Sequence, residues 1–172
     1  AVFMLIWLGL RRQLGVYRAL HARDWRWLLA ATLLLIGNYV GYLLGVQFTS
    51  PGNAQLLIQL APLLMALGGI WIFKERYVLG QWLGLAVIAS GLAFFFGDQL
   101  HGAVNAGPVY VLGSAIIGLA SVSWAAYALI QKQLLLKLDS SHILTALYIF
   151  SALLLWPFAH PSRLFALDGL HW

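Results

Sequence analysis

Five polar or helix-bending residues of this chain lie within long apolar segments, at spacings that place them on helix faces. Gln55, Gln59 and Pro62 follow one another at steps of four and three, which puts them on one face of a helix. Asn38 and Tyr42 are four apart on the preceding segment. A side-chain amide in hydrocarbon needs hydrogen-bond partners, so these faces should contact protein or water. The chemistry they suit is hydrogen bonding, either to a bound solute or between packed helices.

A later apolar segment carries two further candidates, Ser121 and Trp124. Trp124 lies several residues inside that segment, deeper than a tryptophan at the membrane interface needs to be. A serine hydroxyl can bond to the preceding turn of its own helix, so Ser121 is the weaker indication. The candidates for lining a substrate cavity are therefore Asn38, Tyr42, Gln55, Gln59, Pro62, Ser121 and Trp124. Packing between helices is the alternative role for each of them.

The sets of residues that enzymes and metal sites use are missing from the pattern. The acidic residues fall in linkers or at the ends of apolar segments: Asp24, Glu75, Asp98, Asp139 and Asp168. The five histidines lie near the predicted interfaces without metal-ligand spacing, and the chain has no cysteine. A glycine-rich phosphate loop after a strand is also absent. The sequence predicts no enzyme, no metal site and no cofactor.

The composition is that of a membrane protein. Of 172 residues, 62% are hydrophobic and 9% are charged, against about 25% charged in a soluble domain. Apolar blocks of about 20 residues match a hydrocarbon core of about 30 Å. We predict an all-α, polytopic transmembrane helix bundle in a lipid bilayer, with five complete helices: Trp27–Phe48, Pro51–Phe73, Tyr77–Phe96, Pro108–Ile130 and Ile143–Phe158. Before them, Ala1–Leu10 is long enough for half a helix, so the chain is expected to be part of a longer protein.

The basic residues predict the orientation. Nine of the ten lysines and arginines fall in the linkers at 11–26, 74–76 and 132–137, whereas the opposite linkers carry Arg163 alone. Basic linkers stay in the cytoplasm, so the linker at 97–107 should face outward. The net charge of +5 therefore orients the chain, and a nucleic-acid partner is not expected.

One stretch, 49–96, combines a helix with a central proline, a Glu-Arg turn and a following helix with Gln-x-x-Gly. These features are Pro62, Glu75-Arg76, and Gln81 with Gly84 and Gly91. Together with the Ser-Trp-Ala-Ala-Tyr sequence at 123–127, they make the chain resemble the EamA-type branch of the drug/metabolite transporter superfamily. Lys74 departs from the commoner Gly-Glu-Arg of that turn. The glycines of the third predicted helix share one face, which we expect to pack against a neighbour.

The resemblance implies ten helices in two five-helix repeats of opposite orientation. Residues 1–97 would be the end of the first repeat, with a partial helix and three complete ones, and 108–172 the start of the second, with two helices. The missing helices of the full-length chain would complete the bundle, and Glu75 and Arg76 would form a structural turn.

The function that the resemblance implies is secondary transport. The protein would export small metabolites such as amino acids across the bacterial cytoplasmic (inner) membrane by alternating access, with the first, second and fourth predicted helices lining a central cavity. The alternative is a membrane scaffold or interaction protein whose polar stripes serve only packing. A membrane-embedded enzyme is the weakest hypothesis, because no catalytic set lies at membrane depth. The sequence does not indicate the substrate, the coupling ion or the oligomeric state.

Overall fold

The computed structural model describes residues 13–158, and within them the side chains of all but residues 13–14 and 98–106. The described part is helical throughout and contains no strand, which confirms the predicted fold class. A 3-10 segment at Gln13–Ala19 is followed by α1 (Ala22–Phe48), α2 (Pro51–Leu57), α3 (Leu60–Phe73), α4 (Leu79–Ala106), α5 (Pro108–Leu134) and α6 (Ser140–Leu155), and a 3-10 turn at Trp156–Phe158 follows α6. The predicted half helix at Ala1–Leu10, Arg163 and Asp168 lie outside the described residues.

Five helical segments of the described chain are long and apolar enough to cross a membrane. They correspond in order to the five predicted helices, with α2 and α3 together forming the second: Ala22–Phe48, Pro51–Phe73, Leu79–Gly97, Pro108–Leu134 and Ser140–Phe158. The prediction of a polytopic bundle is confirmed.

Two predicted helix ends were wrong. Helix α1 begins five residues before Trp27, because the carboxylate of Asp24 accepts a hydrogen bond from the His21 backbone N–H at 3.3 Å and caps the first turn. Helix α4 continues to Ala106 through the predicted 97–107 linker. Hydropathy locates only the apolar part of a helix. The 28 residues of α4 span about 42 Å, so this helix extends well beyond a bilayer core of about 30 Å and past its apolar part.

The second membrane segment is interrupted between α2 and α3. Pro62 has no N–H to donate to the Ile58 carbonyl, and that carbonyl instead accepts from the Ala61 N–H at 3.0 Å. The N–H of Gln59 bonds three residues back as well, to the Leu56 carbonyl at 3.2 Å. These tighter bonds place the break at Ile58–Gln59. The sequence predicted a bend from Pro62 but not its position one turn earlier.

Small residues bring α1 and α5 together as an antiparallel pair. A Cβ on Gly41 would lie 3.2 Å from the Ala120 Cβ, and one on Gly45 would lie 3.0 Å from the Gly113 carbonyl oxygen. Larger side chains at these positions would push the two backbones apart. Helices α2 and α3 pack against α5 of this pair, and α6 packs against α1.

The three basic linkers meet at one end of the bundle. Glu75, in the turn between α3 and α4, forms an ion pair with Lys132 at the end of α5. Asp24 at the start of α1 pairs with Lys137, with 2.7 Å between the carboxylate oxygen and Nζ. The basic bias of the linkers predicts that this is the cytoplasmic end.

The glycine face of α4 differs from its prediction. A Cβ built on Gly80, Gly84 or Gly91 meets no atom within 4 Å among the described residues. The predicted packing partner of this face is therefore not in the described part of the chain.

Candidate functional site

A cavity of about 370 Å³ lies where α1, the α2–α3 break and α5 meet. Asn38, which belongs to its wall, is near the middle of α1, and Tyr42 lies about one turn closer to the end of that helix. The cavity is lined by Asn38, Tyr39, Tyr42, Gln55, Ile58, Gln59, Ala61, Pro62 and Trp124. Six of the seven residues predicted from helix faces therefore surround one space. Whether they bind a solute stays a prediction.

Two of the lining side chains are bonded to each other. The Gln55 amide donates to the Tyr42 hydroxyl across 3.1 Å and so links α2 to α1. Gln55 is exposed and Tyr42 is half-buried, so the remaining donors and acceptors of the pair can reach the cavity.

Asn38 has a mixed role. Its side chain is buried, and its amide donates to the Ala120 carbonyl on α5 at 2.9 Å. That hydrogen bond fixes α1 against α5, as the packing interpretation expects. The same side chain forms part of the cavity wall, so the helix contact and the cavity share a residue.

Gln59 occupies the break itself. It precedes the first residue of α3, its side chain is exposed, and it forms no capping hydrogen bond with that helix. Of the cavity amides, this one is held least by neighbouring helices, because Asn38 is bonded to α5 and Gln55 to α1. Its position suits contact with a solute.

Ser121 lies outside the cavity wall, contrary to its prediction as a cavity candidate. Its side chain is fully buried, and its single O–H is shared between the Leu57 carbonyl at 3.1 Å and the Ile117 carbonyl at 2.9 Å. Ala61 does not reach back to Leu57, since its N–H bonds to Ile58. Ser121 therefore satisfies a carbonyl within the helix break.

Trp124 lines the cavity from α5. Its side chain is 36% exposed, and its ring centroid lies 5.6 Å from that of Tyr127. The indole thus presents an apolar ring and one N–H donor from a position supported by a buried tyrosine.

Three lining residues were not among the candidates. Tyr39 is next to Asn38 and three residues before Tyr42, so a wider helical face would have included it. Ile58 and Ala61 line the cavity because the helix breaks there, which the hydrophobic pattern did not indicate.

The lining carries amides, phenols, an indole and apolar groups, without a carboxylate, lysine, arginine or histidine. Such a surface can form hydrogen bonds and ring contacts but provides no fixed charge. Among the described residues, no group of three metal-ligating side chains comes together.

The Glu75-Arg76 turn lies away from the cavity. Lys74, which precedes it, ends α3 in the left-handed conformation, with φ 53° and ψ 39°. The Glu75 side chain folds back over α3, where a Cβ on Gly69 would come within 2.5 Å of the carboxylate. Lys132 pairs with that carboxylate and lies 5.0 Å from the centre of the Phe73 ring. These contacts fit the structural turn predicted for Glu75.

Comparison with known proteins finds relatives among membrane transporters. Residues 1–97 match the model of the EamA-like transporter family. The chain is 33% identical over 167 residues to the uncharacterized inner membrane transporter YhbE of Escherichia coli K12, covering 96% of this chain and 51% of that protein. It is 29% identical over 176 residues to an uncharacterized transporter of Haemophilus influenzae, covering 99% of this chain and 55% of the relative. The chain thus spans about half the length of these relatives, and no solved structure matches it significantly.

Proposed function

Since the chain belongs to the EamA-like transporter family, we propose that the full-length protein exports small metabolites such as amino acids across the inner membrane by alternating access. The observation behind the proposal is the cavity between α1, α5 and the α2–α3 break, whose largely apolar wall carries a few uncharged hydrogen-bonding groups. Transporters commonly bind substrate near the bilayer midplane, beside helices that are interrupted there.

The lining favours small organic solutes over inorganic ions. A volume of about 370 Å³ falls at the lower end of the range of about 300–1,000 Å³ for small-molecule pockets. Gln55 and Gln59 offer donors and acceptors for polar groups, while Tyr39 and Trp124 offer aromatic rings for an apolar side chain. Amino acids and related metabolites combine both features.

The repeat arrangement suits alternating access. The family match ends at residue 97, and we infer that α5 and α6 open a second repeat of opposite orientation. The cavity would then have walls from both repeats, with Asn38 and Gln59 in the first and Trp124 in the second. Relative movement of two repeats about such a site opens it to each side of the membrane in turn.

The inner membrane is the proposed location. The relative from Escherichia coli is described as an inner membrane transporter, and the present chain has five membrane-capable helices in its described part. Its family is one of transporters, which supports a role without catalysis.

A scaffold whose polar residues serve only packing is the second candidate function. The bonds Asn38–Ala120 and Gln55–Tyr42 favour it, because each joins two helices. Gln59 does not fit it as well, because its exposed amide is in the break and does not cap α3.

Reconstitution of the full-length protein separates these two functions. Liposomes containing the protein are loaded with a panel of unlabelled amino acids, and entry of the same labelled amino acid by exchange is followed. A transporter accelerates exchange of at least one of them over protein-free liposomes. Exchange at the protein-free rate for every solute of the panel, with correctly folded protein, supports the scaffold.

A further inference from the structure

Two adjoining cavities lie away from the proposed substrate cavity, at the end of the bundle where the basic linkers meet. The outer one, of about 240 Å³, is lined by Arg23, Asp24, Trp27, Gln133, Leu134 and Lys137. The inner one, of about 350 Å³, shares Trp27 and Gln133 with it. Neither shares a residue with the cavity around Gln59. Together they form one two-part groove.

The outer part contains the charged side chains of the groove, and their net charge is positive. Lys137 is bonded to Asp24, whose side chain is only 6% exposed, so these two charges largely offset each other. The charge of Arg23 remains, on a side chain exposed at the same opening. The Gln133 amide adds a neutral hydrogen-bond donor.

The inner part is apolar. Beyond the shared Trp27 and Gln133 it is lined by Ile72 and Phe73 of α3, and by Ala126, Leu129 and Ile130 of α5. From 133 back to 126 the groove follows α5 for about 10 Å, away from the basic end and into the apolar segment. Ile72 is 59% exposed at its edge, so within the described part of the chain the groove is open on that side.

We propose that this groove binds one anionic glycerophospholipid of the cytoplasmic leaflet. Its phosphate would lie beside Arg23 and Gln133, and an acyl chain would follow Leu129 and Ile130. A basic pocket between helices at the cytoplasmic side recognises anionic headgroups, and Trp27 is the aromatic type that favours the headgroup level. A soluble anion would leave the apolar part empty, whereas a phospholipid fills both parts. The groove shares no lining residue with the cavity around Gln59, so the lipid proposal does not depend on the proposed substrate.

The test compares two arginines of the same helix in the full-length protein. Arg23 lines the groove, whereas Arg26 carries the same charge without lining it. Phosphatidylglycerol and phosphatidylcholine with identical acyl chains are titrated into the delipidated protein, and bound lipid is measured by native mass spectrometry. Wild type should prefer phosphatidylglycerol, and Arg23→Gln should weaken its binding about fivefold, the usual effect of one basic residue at an anionic surface. Arg26→Gln should change it less than twofold.

The apolar part needs its own variant. Ala126→Phe fills the groove, and Ala115→Phe adds the same ring at an exposed position of α5 outside it. Ala126→Phe should reduce binding of both lipids, and Ala115→Phe should not, with equal melting temperatures as the folding control. If Ala126→Phe has a lower melting temperature than wild type, its loss of lipid is set aside, and the comparison of Arg23→Gln with Arg26→Gln tests the proposal.

Three results would overturn the proposal. The first is equal loss of lipid in Arg23→Gln and Arg26→Gln, which would show that the general surface charge, and not the groove, attracts the lipid. The second is equal affinity of wild type for the two lipids. The third is full displacement of phosphatidylglycerol by inorganic phosphate at the same concentration, which means a site for soluble anions.

Discussion

The Ser121 hydroxyl on α5 donates to the Leu57 carbonyl at the end of α2, across 3.1 Å. Both residues are buried, and the bond joins the helix break to the α1–α5 pair. The break is therefore held by a neighbouring helix as well as produced by Pro62. A cavity wall that contains a broken helix keeps its shape through this contact.

Ser121→Ala should lower stability without removing transport per folded molecule. It leaves a buried carbonyl with one partner fewer, which costs about 1–3 kcal/mol. Thermal unfolding in detergent measures the loss. The control is Ser123→Ala, which removes the hydroxyl of a half-buried serine two residues further along α5. Equal melting of the two variants would show that the Ser121 bond does not support the break.

Lys74→Gly should stabilise the protein by about 1 kcal/mol. Lys74 has a positive φ of 53°, where a residue with a Cβ is strained and glycine is not. Glycine, which the Gly-Glu-Arg pattern leads us to expect at this position, adopts this conformation without strain. Arg76→Gly is the matched control, since Lys74 is the non-glycine residue with positive φ among those described. A melting temperature that rises for neither variant, or for both equally, contradicts the explanation.

The Asp24–Lys137 pair should behave as a unit. Lys137→Ala leaves the buried Asp24 carboxylate without its cation and should lower the melting temperature. Asp24→Asn together with Lys137→Ala removes both charges, and the double variant should melt higher than Lys137→Ala alone. A double-mutant cycle in which the two changes simply add would mean that the pair makes no net contribution.

The sequence predicted the membrane segments because hydrocarbon demands long apolar runs, and these runs are visible without a structure. It did not predict the start of α1, because Asp24 caps that helix outside its apolar part. The sequence predicted Asn38, Tyr42 and Gln59 as cavity residues from their helix faces, since residues at steps of three and four share a face. All three line one cavity in the structure.

The same reasoning ranked Ser121 below Trp124 but still placed both side chains at the cavity. Both lie on α5, but one meets a carbonyl of the broken helix and the other meets open space. That difference depends on where α2 ends, and the backbone bonds around Ile58 set this position. Ile58 and Ala61 were missed for the same reason.

The orientation is testable because the chain has no native cysteine. Gly102→Cys should react with a membrane-impermeant maleimide added from outside the cytoplasmic membrane. Leu136→Cys, at a position 74% exposed near the basic end, should react only after that membrane is opened. The reverse labelling pattern would invert the topology derived from the basic linkers.

We propose that Gln59 faces a bound solute, and transport by Gln59→Leu in the full-length protein tests this directly. Leucine keeps the volume and helix propensity of glutamine and removes its hydrogen-bonding group. Gln47→Leu, at an exposed position of α1 outside the cavity, is the matched control.

Solute exchange in liposomes and thermal unfolding are measured on the same preparations of both variants. Gln59→Leu should lower exchange about tenfold, the effect of losing about 1.4 kcal/mol of hydrogen bonding to the solute. Its melting temperature should stay at the wild-type value, and Gln47→Leu should match wild type in both measurements. Normal exchange by Gln59→Leu, or a loss that only follows a loss of folded protein, would contradict the assignment of the cavity as the substrate site.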